Sequence, residues 1–208
     1  MNLVLPKIYP ITDVSLAGIS HGEQVGRLIA GGATFIQLRE KHASPRDFFE
    51  AAKPAIEIAR KNNVMIIIND RVDIARALGA DGVHLGQDDL PPNAAREVLG
   101  PDAIIGFSTH SVEQAIDAAG LRIDYIAIGP IFETRTKENP DPIVGLDGLA
   151  EVKKNIGNTP LVAIGGIDLD NVLDVLAAGA DSIALVSAII GDPALISAKT
   201  AQLLDIVK

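Results

Sequence analysis

The residues best suited to catalysis or ligand binding directly follow short apolar runs. After Phe35 and Ile36, alternate positions carry Gln37, Arg39 and Lys41. Because successive side chains of a β-strand point to opposite faces, these three polar groups project from the same face. Two cations and an amide on one face are suited to bind an anion such as a phosphate, although a solvated strand end is the plainer alternative.

Carboxylates follow the next two apolar runs. Asp70 comes after a run that ends at Ile68, and Asp88 and Asp89 come after the run that follows it. The chain has no cysteine, so a metal site here would use oxygen or imidazole ligands, and paired carboxylates favour a hard cation such as Mg2+. A helix cap is the alternative role for each Asp, and spacing alone does not separate Asp88 from Asp89.

Hydroxyl, imidazole and basic groups follow later runs. Ser108 ends the fifth run, and the polar segment Thr134–Lys137 contains hydroxyls and cations suited to phosphate oxygens. It belongs to a longer irregular stretch, Glu133–Gly145, which is a candidate lid. His84 and His110 are isolated in the sequence, and we interpret them as structural hydrogen-bonding residues.

Small residues end the last two runs. Gly165 and Gly166 end the seventh run, and Val186 and Ser187 lie in the eighth. Backbone amides after these two strands form a recurrent phosphate site in (β/α)8 barrels, where glycine allows the oxygens to approach closely. A simple turn is the alternative for the glycine pair, but its position favours a second, metal-free anion site.

The elements that carry these residues alternate along the whole chain. Helical apolar spacing separates eight strand-like runs, a pattern typical of repeated βα units. The predicted strands are Lys7–Asp13, Thr34–Glu40, Met65–Asp70, Gly82–Gly86, Ile104–Thr109, Tyr125–Phe132, Leu161–Gly166 and Ser182–Ile189. This regularity predicts an α/β fold, a single (β/α)8 TIM barrel domain over residues 1–208, rather than an open doubly wound sheet.

Composition limits the classes of function. A chain of 208 residues with 48% hydrophobic residues suits one compact domain, and its apolar runs are too short to span a membrane. A net charge of −9 argues against nucleic acid and anionic membranes as partners, but permits small anionic substrates held by local cations. No segment resembles a signal peptide, so we expect a cytoplasmic enzyme. The sequence leaves a homo-oligomer open.

Several motifs together resemble the thiamine phosphate synthase family. They keep the order of that family, cover most of the chain and are highly specific as a set. They comprise Gln37-Leu38-Arg39-Glu40-Lys41, Ile68-Asn69-Asp70-Arg71, Gly82-Val83-His84-Leu85-Gly86-Gln87-Asp88-Asp89, Gly106-Phe107-Ser108-Thr109-His110, Gly129-Pro130-Ile131-Phe132, Thr134-Arg135-Thr136-Lys137, Ala163-Ile164-Gly165-Gly166-Ile167 and Gly179-Ala180-Asp181-Ser182.

The resemblance implies a role for each matching position. A pyrimidine diphosphate would contact Gln37, Arg39, Lys41, Asn69, Ser108 and Lys137. Mg2+ would be held by Asp70 and by Asp89, which the family pattern selects over Asp88. The thiazole phosphate would bind at Thr134, Thr136, Gly166, Val186 and Ser187. The groups expected to take part directly in catalysis are Arg39, Lys41, Lys137 and Ser108.

The implied reaction is the displacement of diphosphate from a pyrimidine methylene group by a thiazole nitrogen. One rival is the thiazole tautomerase branch of the same family, for which His110 would serve as acid and base. A second rival is a non-catalytic regulator that binds thiamine intermediates. A third is a sugar-phosphate isomerase or epimerase, which would share the site at strands seven and eight but has no use for the cations of strand two.

Overall fold

The computed structural model describes residues 3–134 and 141–208, and these residues form a closed barrel of parallel strands. Each strand pairs with its sequence neighbours, and β1 closes the barrel by pairing with β8. The strands are β1 (Ile8–Asp13), β2 (Phe35–Arg39), β3 (Met65–Asn69), β4 (Gly82–Leu85), β5 (Ile104–Thr109), β6 (Tyr125–Ile128), β7 (Leu161–Ile164) and β8 (Ser182–Leu185). The predicted (β/α)8 barrel is confirmed.

Helices connect the strands and cover the outside of the barrel. They are α1 (Val14–Ala17), α2 (His21–Ala30), α3 (Pro45–Lys61), α4 (Val72–Leu78), α5 (Pro92–Leu99), α6 (Val112–Ala118), α7 (Gly145–Asn155), α8 (Val172–Ala177), α9 (Ser187–Ile190) and α10 (Ile196–Ile206). A short 3-10 helix, Pro193–Leu195, precedes the last of them. Within the described part of the chain, no helix combines the length and the apolar character that crossing a membrane requires.

Local capping signals explain where the first long helices begin. Ser20 accepts a hydrogen bond from the backbone of Glu23, while the Glu23 carboxylate accepts one from the Ser20 backbone, which together form a capping box at α2. The Ser44 side chain caps α3 by accepting a hydrogen bond from the Asp47 backbone, and Pro45 occupies the first helical position, where a missing N–H costs nothing.

Two apolar layers fill the fold. The larger layer lies between the strands and the surrounding helices and includes Leu28, Phe48 and Val152. A smaller layer fills the barrel interior and contains Tyr9, Ile11, Phe35, Ile67, Tyr125, Ala127, Val162 and Ala184, with Leu5 below them. Because this interior is packed with side chains, substrates can enter only at its open end.

Two predicted strands were too long by four residues each, whereas the bounds of the other six agree with the structure within two residues. β6 ends at Ile128 and is followed by a cis peptide bond between Gly129 and Pro130. β8 ends at Leu185, and part of the apolar run beyond it forms the short helix α9. Both Ile189 and Ile190 are fully buried there, and a short apolar run of this kind does not distinguish a strand from a buried helix by periodicity.

Candidate active site

A cavity of about 550 Å³ opens at the carboxyl ends of the strands. This is the end of a (β/α)8 barrel at which catalytic residues are found. Eleven of the predicted site residues line the cavity, namely Gln37, Arg39, Lys41, Asn69, Asp70, Asp89, Ser108, Thr134, Gly166, Val186 and Ser187. The other two, Thr136 and Lys137, lie outside the described residues.

Arg39 and Lys41, the two predicted cationic site residues within the described part of the chain, each form an ion pair with a carboxylate. The Arg39 guanidinium donates to Asp13, whose other carboxylate oxygen accepts from the backbone of Leu16 at the start of α1. The Lys41 ammonium donates to Asp70 over 2.6 Å. These pairs orient both cations toward the cavity, and the Lys41 contact ties the predicted anion site directly to the predicted metal site.

The carboxylates of Asp70 and Asp89 form a pair at the cavity edge. Asp70 has a backbone φ of 61°, in the left-handed region, where Asp and Asn are among the few residues tolerated. Burial raises the pKa of Asp89, and the neighbouring Asp70 carboxylate raises it further, although a hydrogen bond from the Gly86 backbone opposes this shift. Asp88, in contrast, is exposed. A partly buried carboxylate beside a second carboxylate is a setting in which a bound cation would stabilise the charged form.

The donor set of this pair fits Mg2+. Within residues 3–134 and 141–208, no three His, Asp or Glu side chains are grouped tightly enough to hold a metal ion by themselves. Two carboxylates are nevertheless sufficient for Mg2+, which usually keeps several waters and binds one or two carboxylates together with substrate phosphates. The site therefore fits a metal that is completed by a phosphorylated substrate.

Asn69 presents an unused donor to the cavity. Its side chain is only 6% exposed, and its Nδ2 atom has no hydrogen-bond partner within the described residues. A buried amide without a partner is costly, so such a group in a cavity wall points to a ligand that supplies the missing acceptor.

Another wall of the cavity is formed by residues at the ends of β7 and β8, where two glycines lie among small and apolar side chains. Gly165 and Gly166 have φ angles of 101° and 66°, which other residues rarely adopt. A Cβ atom on Gly166 would lie 2.5 Å from the carbonyl oxygen of Glu133 and 2.7 Å from Cβ of Phe132. Gly166 is therefore required for packing against the segment that leads to Thr134, so a substitution there would shift this wall as a whole.

Comparisons with known proteins identify the family of this chain. The family model described as "Thiamine monophosphate synthase" matches residues 8–189. The chain belongs to this family. A thiamine-phosphate synthase of Clostridium novyi is 49% identical over 185 residues, which are 88% of this chain and 90% of that protein. One from Koribacter versatilis is 45% identical over 92% of each chain.

A solved structure agrees as well. The thiamine phosphate pyrophosphorylase from Pyrococcus furiosus superposes with a TM-score of 0.86 and 38% identity, covering 97% of this chain and 95% of that one. The predicted family, and with it the enzyme class of a thiamine-phosphate synthase, are thus confirmed, whereas the roles of individual residues stay predictions.

Some residues of this thiamine monophosphate synthase family site were not predicted from the sequence. Tyr9 and Ile11 of β1 line the cavity, and Asp13 at the end of the same strand holds Arg39. Because side chains alternate along a strand, these three positions of β1 lie on one face, and this alternation could have predicted from the sequence that they face the cavity. His84 also lines the cavity, and its interpretation as a hydrogen-bonding residue is confirmed, since it contacts the Tyr125 and Ser108 hydroxyls.

His84 should make the stability of the protein depend on pH. Burial lowers the pKa of His84 from 6.5 to about 4. Between these values the unfolded chain binds a proton that the folded chain does not, so the free energy of unfolding falls as pH decreases through this window. From pH 7.5 to pH 5, we expect His84 to remove about 2 kcal/mol of stability.

Urea denaturation of His84→Gln at both pH values measures this effect. The variant should lose about 2 kcal/mol less than the wild type between pH 7.5 and pH 5. His42→Gln, at an exposed position, controls for the removal of an imidazole. An equal pH dependence in His84→Gln and the wild type would contradict the assignment to His84.

Proposed function

We propose that this enzyme condenses an aminopyrimidine methyl diphosphate with a thiazole ethyl phosphate to form thiamine phosphate and diphosphate, with Mg2+ as its cofactor. If the thiazole is carboxylated, the reaction also releases the carboxyl group as CO2. The single observation that supports the proposal is that one cavity brings together the cations and carboxylates at the ends of β2 to β4 and the glycine-containing end of β7 with the end of β8. One wall carries the cations and the carboxylate pair, and the other is formed by residues at the ends of β7 and β8, among them Gly165, Gly166 and Ser187.

The wall at β2 to β4 suits the diphosphate. Arg39 offers a planar guanidinium that can bind two phosphate oxygens at once, and Lys41 adds a compact ammonium. Asn69 adds the unpartnered amide donor. Lys137, outside the described residues, is proposed as a third cation, by its position in the motif Thr134-Arg135-Thr136-Lys137.

The wall at β7 and β8 suits the phosphate of the thiazole. Glycine at position 166 brings backbone close to the cavity without a side chain, and the Val186–Ser187 segment contributes further backbone and a hydroxyl. Thr134 lines the cavity between these walls, and Thr136 is proposed to join it. No metal is needed here, because amide N–H groups bind a single phosphate well.

Asp70 and Asp89 would hold Mg2+ at the diphosphate wall. When bound, the ion would neutralise negative charge on the diphosphate oxygens. The Lys41 ammonium, which donates to Asp70, would lie beside the same oxygens. The positive charge of the site would thus lie on one side of the cavity, and the aminopyrimidine ring would bind between the two walls.

The residues of the site act mainly by positioning and by charge. The bond between the pyrimidine methylene carbon and the diphosphate oxygen breaks, and the electron pair leaves with the diphosphate. Arg39 and Lys41 stabilise that growing charge, which is the electrostatic contribution that accelerates such a step. The thiazole nitrogen then attacks with its own lone pair, so no nucleophilic side chain or general base is required. Holding the two rings in position for this attack contributes the remaining rate acceleration.

The reaction itself is the direct test. Incubation of both substrates with Mg2+ should release thiamine phosphate and diphosphate in equal amounts, and omission of either substrate should abolish both products. Excess chelator should stop turnover, and added Mg2+ should restore it. Tight binding of both substrates without turnover would instead support a non-catalytic regulator, and full turnover in chelator would refute the role of the metal.

The cellular location and the assembly state are also part of the proposal. We propose that the enzyme acts in the cytoplasm on small-molecule substrates, without nucleic acid or membrane partners. Its net charge of −9 supports this, because local cations at the cavity are sufficient for small anions while the surface as a whole repels polyanions. A homo-oligomer remains compatible with the sequence.

A further inference from the structure

A chain of hydrogen bonds crosses the barrel interior and joins two residues of the cavity wall. Gln37 Nε2 donates to the Tyr9 hydroxyl over 2.9 Å, and the Tyr9 and Tyr125 hydroxyls are 2.9 Å apart. The Tyr125 hydroxyl lies 3.0 Å from Nδ1 of His84. Nε2 of His84 lies 2.8 Å from Oγ of Ser108. Five different strands therefore contribute to one continuous path from Gln37 to Ser108.

The packing around this path holds its members in place. The chain contains only two tyrosines, and both lie in the barrel interior with at most 1% exposure. The ring of Tyr125 stacks on His84 with centroids 5.5 Å apart and meets Tyr9 edge-on at 6.0 Å. Gly106 provides the necessary space, because a Cβ atom there would lie 2.0 Å from Cζ of Tyr125.

With the Gln37 amide nitrogen donating to Tyr9, one direction of the remaining hydrogen bonds gives every hydroxyl hydrogen of the path an acceptor. Each hydroxyl has a single hydrogen, and a buried hydroxyl hydrogen needs an acceptor. Since the Gln37 amide donates to Tyr9, the Tyr9 hydrogen goes to Tyr125, and the Tyr125 hydrogen goes to Nδ1 of His84. The imidazole is buried and contacts two hydroxyls but no carboxylate, so it is neutral and carries its one hydrogen on Nε2.

This direction determines what the cavity offers to a ligand. Nε2 of His84 donates to Ser108 Oγ, which leaves the Ser108 hydrogen to be donated into the cavity. At the other end, the amide nitrogen of Gln37 is engaged with Tyr9, which leaves Oε1 as an acceptor. An aminopyrimidine presents an N–H donor beside a ring-nitrogen acceptor, and its oxo analogue presents the reverse pattern.

We propose that Tyr9, Tyr125 and His84 are positioning residues that make the site selective for an aminopyrimidine over an oxopyrimidine. They act through Gln37 Oε1 as acceptor and the Ser108 hydroxyl as donor. The inference rests on the proposed function, because that function supplies the pyrimidine substrate. A reversed donor and acceptor pattern would leave buried polar groups unpaired, so we expect the wild type to prefer the amino form by about a hundredfold or more.

Nitrogen-15 NMR of histidine-labelled protein tests the direction without any substrate. His84, assigned by comparison with His84→Gln, should be neutral with its hydrogen on Nε2. Tyr9→Phe should preserve this state, because Tyr125 can still donate to Nδ1, whereas Tyr125→Phe should produce a mixture of the two neutral forms. A wild-type His84 with its hydrogen on Nδ1, or a protonated His84, would overturn the inference.

Binding of the amino- and oxopyrimidine methyl diphosphates, with Mg2+ and without thiazole phosphate, tests the selectivity. Tyr125→Phe should reduce the preference for the amino form by about tenfold. In a separate titration, the affinity of this variant for the thiazole phosphate should equal that of the wild type. An unchanged preference in this variant would overturn the selective role. If neither pyrimidine binds to the wild type, the proposed substrate is wrong, whereas the NMR result still decides the direction of the hydrogen bonds.

Discussion

Asp89→Asn is expected to lower kcat/KM by about a thousandfold at a Mg2+ concentration that saturates the wild type. The Asp89 carboxylate is partly buried beside Asp70, and both its burial and the Asp70 carboxylate raise the pKa of Asp89, so a metal ion bound there would stabilise the charged form. An amide keeps the shape of the side chain but removes the charge that would hold the metal. Initial rates over a Mg2+ titration measure the effect, and the concentration for half-maximal activity should rise by about tenfold or more.

The neighbouring aspartates provide matched comparisons. Asp70→Asn should behave like Asp89→Asn, and asparagine also tolerates the left-handed backbone at position 70, so the fold should be preserved. Asp88→Asn removes the same charge from a residue that also lines the cavity but is exposed and lies outside the Asp70–Asp89 pair, so it should retain activity within about threefold of the wild type. If all three variants show the same Mg2+ dependence, the assignment of Asp89 as a metal ligand is wrong.

Arg39→Ala is expected to lower kcat by about a hundredfold or more and to raise KM for the pyrimidine diphosphate. The guanidinium faces the cavity from the end of β2 and is oriented by Asp13. Its interaction with the substrate strengthens as negative charge collects on the departing diphosphate, so its loss affects the rate as well as binding. Steady-state kinetics with each substrate varied in turn separates the two effects, and KM for the thiazole phosphate should change little.

Two further variants complete this test. Arg46→Ala removes an equal charge from the exposed first turn of α3 and should leave both kinetic constants unchanged. Asp13→Asn should cause a smaller loss than Arg39→Ala, because it weakens the orientation of the guanidinium but keeps its charge. A wild-type kcat in Arg39→Ala would contradict the proposed role of Arg39 in the departure of the diphosphate.

The sequence by itself determined the barrel and the composition of its open end. Alternating strand and helix periods are local properties, and in a parallel barrel the carboxyl ends of all strands necessarily meet at one edge. The predicted site residues at the strand ends could therefore be assigned to one cavity, and the eleven that the structure describes do lie there. The motifs also sufficed to predict the family.

Only the tertiary structure decided how these residues pair. The hydrogen bond between Tyr9 and Tyr125 joins positions 116 residues apart, and the contact between Lys41 and Asp70 joins neighbouring strands. Such contacts depend on the register of each strand pair and on the closure of β8 onto β1, which no local pattern encodes. Periodicity likewise could not end β8 at Leu185, because burial of the following helix, not its local sequence pattern, sets that boundary.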